Sequence, residues 1–205
     1  MTHIYRNKIF PIVLDHVMQF DDFTTARQKL LSKVSGHVVE IGFGTGLNLP
    51  FYGDGVLSLT SVDPHEGLNQ LAAQRIADVK FPVIHKQLSA EHLPFEDNSI
   101  EVIVSTWTLC SIPNVDMALA EIKRVLKPNG KFYFVEHGLS PKPNLAKWQH
   151  RLTPVQKVIG DGCHLDRDMK LLVEQSGLKL VHCEQYAAKN LFSLMSWMTL
   201  GQATK

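Results

Sequence analysis

A chain of 205 residues with 44% hydrophobic residues, 13 glycines and 10 prolines has the size and composition of a single folded domain, which excludes disordered and collagen-like chains. Charged residues make up 20% of the sequence and balance to a net charge of +1, which argues against a partner chosen by bulk charge, such as a nucleic acid or an anionic membrane. Three widely separated cysteines, Cys110, Cys163 and Cys183, form no CxxC pair and predict reduced thiols in a cytoplasmic protein, with neither a disulfide framework nor a structural metal site.

Phe10-Pro11-Ile12-Val13-Leu14 is far shorter than the roughly 18 apolar residues of a membrane span, and the start of the chain has no secretory-signal pattern. Phe23, Ala26, Leu30, Leu31 and Val34 recur at helical spacing within an N-terminal segment, residues 1–35. Five short runs then read as strands: Val38–Ile41, Leu57–Val62, Pro82–His85, Val102–Val104 and Phe132–Val135. The first, fourth and fifth are nearly continuous apolar runs, as in strands covered on both faces of a parallel sheet. Asn114 or Asp116 is placed to cap a helix carrying Ala118, Leu119, Ile122, Val125 and Leu126, which stops at Pro128-Asn129-Gly130.

Residues 138–165 contain three prolines and read as an insertion. A helix over Asp166–Ser176 ends at Gly177, Leu178–Tyr186 alternates like a strand, and Thr199–Thr204 gives another. Leu191, Leu194, Met195 and Met198 have helical spacing and predict a short helix over the sheet edge, or alternatively a greasy lid in peripheral contact with a membrane. The sum is a single α/β domain with a Rossmann-like, doubly wound, seven-stranded sheet, its core at 36–137 and its remaining elements at 138–205. Oligomeric state leaves no mark on this pattern.

The most specific feature is Glu40-Ile41-Gly42-Phe43-Gly44-Thr45-Gly46, where a strand runs into three glycines and then a helix start. Glycines there let the chain bend sharply and a ligand approach the main chain. A dinucleotide loop would need a glycine at Leu47, and a nucleotide P-loop would need a lysine. Glu40 is poorly suited to a pyrophosphate but suits an ammonium or sulfonium ligand, and Asp63, ending the second strand, suits a ribose diol. Ribose without pyrophosphate, beside a positive charge, describes S-adenosylmethionine. The plainer alternative is a tight glycine turn, with Asp63 capping a helix begun by Pro64.

On these residues the chain resembles the class I S-adenosylmethionine-dependent methyltransferases. Leu88-Ser89-Ala90-Glu91-His92-Leu93-Pro94 looks like that family's adenine-side loop, and Leu126–Lys131 like the turn before its fifth strand. The resemblance implies cofactor contacts at Glu40, Gly42, Phe43, Gly44, Gly46, Asp63, Pro64, Ser89, Ala90, Glu91 and Thr106. Where the family often has Asp or Asn, Ser89 stands, so the backbone near Ala90 becomes the expected adenine partner. Trp148-Gln149, Pro154, Asp161-Gly162-Cys163, Leu165 and Arg167 are similar to the insertion of the thiol methyltransferase-like branch, whose animal members are membrane-anchored and methylate small alkyl thiols. No anchor is carried over.

The resemblance implies methyl transfer to a small, apolar acceptor, with a thiol favoured. A quinone precursor or a phospholipid amine is the enzymatic alternative, and a catalytically silent cofactor-binding regulator the non-enzymatic one. His137, after the fifth strand, and Asp161, in the insertion, are the candidate catalytic groups for taking a proton or orienting the acceptor. Glu136 reads as a structural carboxylate and Trp107 as a pocket wall. An arsenic site built from all three cysteines would require distant parts of the chain to converge.

Overall fold

The computed structural model describes residues 10–64 and 70–205, so residues 1–9 of the expected N-terminal segment lie outside the described residues. Seven strands follow the expected order: β1 Gly36–Ile41, β2 Val56–Val62, β3 Val83–Lys86, β4 Ile100–Thr106, β5 Leu126–His137, β6 Lys179–Ala187 and β7 Trp197–Thr204. They form one sheet, ordered β3-β2-β1-β4-β5-β7-β6. The five left-hand strands pair in parallel, whereas β7 runs antiparallel to both β5 and β6. The chain reverses direction across the sheet at β1 and β4, the switch point beside which open α/β sheets bind ligands.

The alternation of side chains along a strand divides the core in two. Val39, Ile103, Phe132 and Phe134 pack on one face with Leu119, Ile122, Val125, Met169 and Val173. Val38, Val102, Val104, Tyr133 and Val135 pack on the other with Ala26, Leu30 and Leu31. The covering helices are α1 Phe10–Val17, α2 Asp21–Leu31, α3 Gln70–Ala77, α4 Val115–Val125, α5 Pro143–Ile159 and α6 Met169–Gln175. Asn114 caps α4 by accepting from Met117 N at 3.1 Å, and Asp168 caps α6 by accepting from Leu171 N at 3.1 Å.

Four local expectations are corrected. The segment 138–165 is dominated by the 17-residue helix α5. Its Pro143 sits in the first turn, where no N–H is needed, and Pro154 removes only one intrahelical bond. Residues 191–198 contain just a 3-10 turn, Ser193–Met195, before Trp197 and Met198 enter β7, because ladders to β5 and β6 outweigh the helical spacing. The glycine loop opens into another 3-10 turn, Leu49–Phe51. Finally, α4 ends at Val125, and Leu126 already pairs with Ile100; the Pro128-Asn129-Gly130 turn is a bulge inside β5, which resumes with Lys131 opposite Val102. No helix among the described residues is long and apolar enough to cross a membrane.

Candidate active site

The three glycines after β1 all have φ in the left-handed region, at 77°, 54° and 77° for Gly42, Gly44 and Gly46. Two of them require glycine for different reasons. A Cβ on Gly42 would lie 1.9 Å from Thr108 Oγ1, so this residue lets the loop after β4 rest on the loop after β1. A Cβ on Gly44 would meet nothing within 4 Å, which leaves open space where a ligand can meet the main chain. Asp63, buried at the end of β2, accepts from Gly44 N at 2.9 Å through Oδ2, fixing its carboxylate at the mouth of the loop. Pro64 follows it and is exposed. Phe43 turns into the core, its ring within 3.4 Å of where a Gly46 Cβ would stand.

Glu40 is fully buried at the base of this loop. Asn48 Nδ2 donates to one of its oxygens at 3.0 Å and Tyr52 Oη to the other at 2.6 Å. Burial pushes its carboxyl up to about 7, although Tyr52, Asn48 and the Arg27 charge all pull it down. Asn48 also joins Thr106 at 3.0 Å and accepts from Arg27 Nε at 3.0 Å, so Thr106 serves an internal brace linking β1, β4 and α2. Ser89 donates to Glu91 at 3.0 Å, and Glu91 accepts from Asn114 N at 2.7 Å; both side chains therefore hold their own loop around buried Ala90.

An electrostatic clamp that no spacing announced lies across the loop. Asp15 of α1 takes two hydrogen bonds from Arg75 of α3, at 2.6 and 3.1 Å, and one from Thr45. Arg75 also donates to Thr45 O at 2.7 Å. Burial works to raise the Asp15 carboxyl, but Arg75 and Thr45 outweigh it and hold it below the usual range. Asn48 and Tyr52, just past the glycines, were the most readable of the missed residues, as polar groups following a ligand loop; Asp15, Arg27 and Arg75 carried no local signal.

The loop after β4 forms the adjoining wall. Trp107 adopts a positive φ of 48° and is held there by N–H donation to Val135 O at 2.8 Å, an edge contact with Phe23 and the Arg27 guanidinium over its ring. Glu136 is fully buried beneath it, as expected of a structural carboxylate, accepting from Thr108 N and Leu109 N at 3.0 Å, Cys110 N at 3.3 Å and Ser105 Oγ at 3.1 Å. Burial raises its pKa, against those backbone donors.

The same loop brings Cys110 beside His137, at the end of β5, and Cys163, just beyond α5. His137 Nε2 lies 3.1 Å from Cys163 Sγ. The hydrogen bond from Cys110 lowers the Cys163 thiol against its burial, with His137 assisting, while Cys110 is pushed up. Burial depresses His137, but the facing Cys163 overrides it and the net direction is upward. Two of the three cysteines thus converge; Cys183 lies apart on β6, which removes the three-thiol arsenic reading. Asp161 and Gly162 take left-handed conformations, with φ of 47° and 92°, and form the turn that delivers Cys163.

Residues 39–134 match a family model described as a methyltransferase domain. The thiol S-methyltransferase TMT1B of Rattus norvegicus is 35% identical over 151 residues, 72% of this chain and 62% of that protein. Its Homo sapiens counterpart is 30% identical over 179 residues, 84% of this chain and 71% of that protein. The chain thus spans less than two thirds of the length of the rat relative. Among solved structures, the [4+2]-cyclase SpnF superposes with a TM-score of 0.71 over 90% of this chain and 80% of that one, at 16% identity, a likeness of fold alone.

Proposed function

The chain belongs to the class I S-adenosylmethionine-dependent methyltransferases, and from that premise we propose that it transfers a methyl group to the sulfur of a small, apolar thiol. The observation that carries the cofactor reading is the joint placement of Gly44, open above its Cα, and the Asp63 carboxylate anchored to its N–H. That pairing fits a ribose diol against a main-chain loop, and the buried Glu40 nearby fits a positively charged ligand. When bound, S-adenosylmethionine supplies an electrophilic methyl carbon.

The remaining work falls to the chain's own residues. In-line displacement needs alignment and exclusion of water more than acid-base assistance. A thiol with a pKa near 8.5 is already a few per cent ionised at about pH 7. Trp107, pinned by Phe23 and Arg27, walls off solvent, and His137 orients the acceptor at the end of β5. The cofactor roles of Gly42, Gly46 and Ala90 are through main chain, while Ser89, Glu91 and Thr106 act by holding the loops in shape. Asp161 contributes on the acceptor side as the turn before Cys163.

The identity to thiol S-methyltransferases supports sulfur as the nucleophile. A panel of alkyl thiols, phenols, amines and an aminophospholipid, matched in concentration, tests this choice. Thioether formation with kcat/KM at least about 100-fold above the other acceptors is expected; preferential methylation of a phenol or an amine would overturn it.

A further inference from the structure

We propose that Cys110, His137 and Cys163 form a binding site for one thiophilic divalent metal ion, zinc(II) by the chemistry of its donors. Three separate parts of the fold supply these side chains: the loop after β4, the end of β5 and the turn after α5. All three are buried, and their ligand atoms lie within 4.8 Å of one another. A tetrahedral zinc ion with bonds of about 2.3 Å to sulfur and 2.0 Å to nitrogen sets its donors roughly 3.5 to 3.8 Å apart. The 3.1 Å separation of Cys163 Sγ and His137 Nε2 needs only a small widening to meet that.

The surroundings fix the donors in place. His164 N donates to Cys110 O at 2.8 Å, tying the two cysteine-bearing segments together at the site. Glu136 holds the Cys110 N–H, and Ser111 Oγ lies 3.6 Å from Cys110 Sγ. Such outer partners orient ligands around a metal. Two thiolates and a neutral imidazole carry two negative charges, which a divalent ion cancels in a buried place where net charge is costly. Soft sulfur donors favour zinc over magnesium or calcium. Binding forms two sulfur-metal bonds and one nitrogen-metal bond and releases the thiol protons to solvent, with no change of oxidation state.

Among the described residues the cluster stops at three donors, the protein ligand count of catalytic zinc sites, which keep a position for substrate. An acceptor thiol completing the set would be held as its thiolate, since a coordinating thiol is deprotonated outright. This acceptor step rests on the thiol reading above; the metal site does not.

The test is titration of the reduced, metal-stripped protein with cobalt(II), followed by zinc(II). Expected are one equivalent bound, a sulfur-to-cobalt charge-transfer band with four-coordinate ligand-field bands, and their loss on adding zinc. Cys110→Ser, Cys163→Ser and His137→Gln should each weaken cobalt binding by at least about 100-fold, while Cys183→Ser leaves the spectrum unchanged. Circular dichroism and S-adenosylmethionine binding identify any variant that misfolds. Absence of the band from the wild type, or its survival in a folded Cys163→Ser variant, overturns the site. Thiol methylation by zinc-loaded and metal-stripped protein is then compared. A fall of at least about 10-fold on stripping, restored by zinc, supports the acceptor step; equal rates overturn it. Failure of every thiol with zinc present overturns the thiol reading while leaving the cobalt result standing.

Discussion

At the scale of single residues, Asp63 and Glu40 make separable contributions. Replacing Asp63 by Ala removes hydrogen bonds to a carboxylate, and S-adenosylmethionine binding is expected to weaken by about 1.5–3 kcal/mol, read by calorimetry; unchanged affinity would take Asp63 out of the site. Glu40 has its carboxyl raised to about 7 by burial, so the free protein holds a proton there through the range in which an ordinary carboxylate has lost it. A positively charged ligand favours the ionised form, so the proton leaves on binding. Affinity should therefore rise as pH increases from about 5 to about 8, and Glu40→Gln should flatten the profile. Calorimetry in buffers of differing ionisation enthalpy reads the released proton directly, and an identical release by Glu40→Gln would refute the linkage. Gly44 and Asp63 were legible because strand, turn and carboxylate follow one another in sequence. The meeting of Cys110, His137 and Cys163 was not, because only the sheet order and the turn at Asp161-Gly162 bring them together.

At the scale of elements, β1, β4 and the second half of β5 were readable because burial on both faces leaves mostly apolar, β-branched and aromatic residues there, whereas β6 was readable by its alternation. The helix α5 was hidden by its prolines, and α1 by its brevity and the exposure of Ile12, Val13 and Leu14. What holds α5 is Gln149, whose buried amide accepts from Ser140 N at 2.8 Å and donates to Gly138 O at 3.0 Å and Leu194 O at 2.8 Å. Gln149→Leu strands these backbone groups and is expected to destabilise the fold by about 2–4 kcal/mol in urea unfolding; a change under about 0.5 kcal/mol would show that the anchor is elsewhere. The contact between the loops after β1 and β4 has its own test. Gly42→Ala drives a methyl group into Thr108 and should weaken cofactor binding by at least about 10-fold. Thr108→Gly in the same chain should restore part of it, and no restoration would mean that the left-handed backbone alone sets the requirement.

At the scale of the whole molecule, near-neutral charge goes with local pairing: Asp15 and Arg75 pair beside the glycine loop with little exposure, while Lys29 with Glu184 and Lys127 with Glu101 pair at the surface. The fold brings together the glycine loop, the Asp15–Arg75 clamp between α1 and α3, and the Trp107 loop around one end of β1, β4 and β5. That fold is shared with a [4+2]-cyclase, so fold alone does not decide the reaction. The decisive measurement follows the methyl group itself, using S-adenosylmethionine labelled in its methyl carbon with a small alkyl thiol and the wild-type protein. The label is expected in the thioether, with one S-adenosylhomocysteine formed per methyl transferred. Cofactor that binds stoichiometrically but never gives its label to the thiol, with or without zinc, would contradict the assignment and leave a binding protein in place of an enzyme.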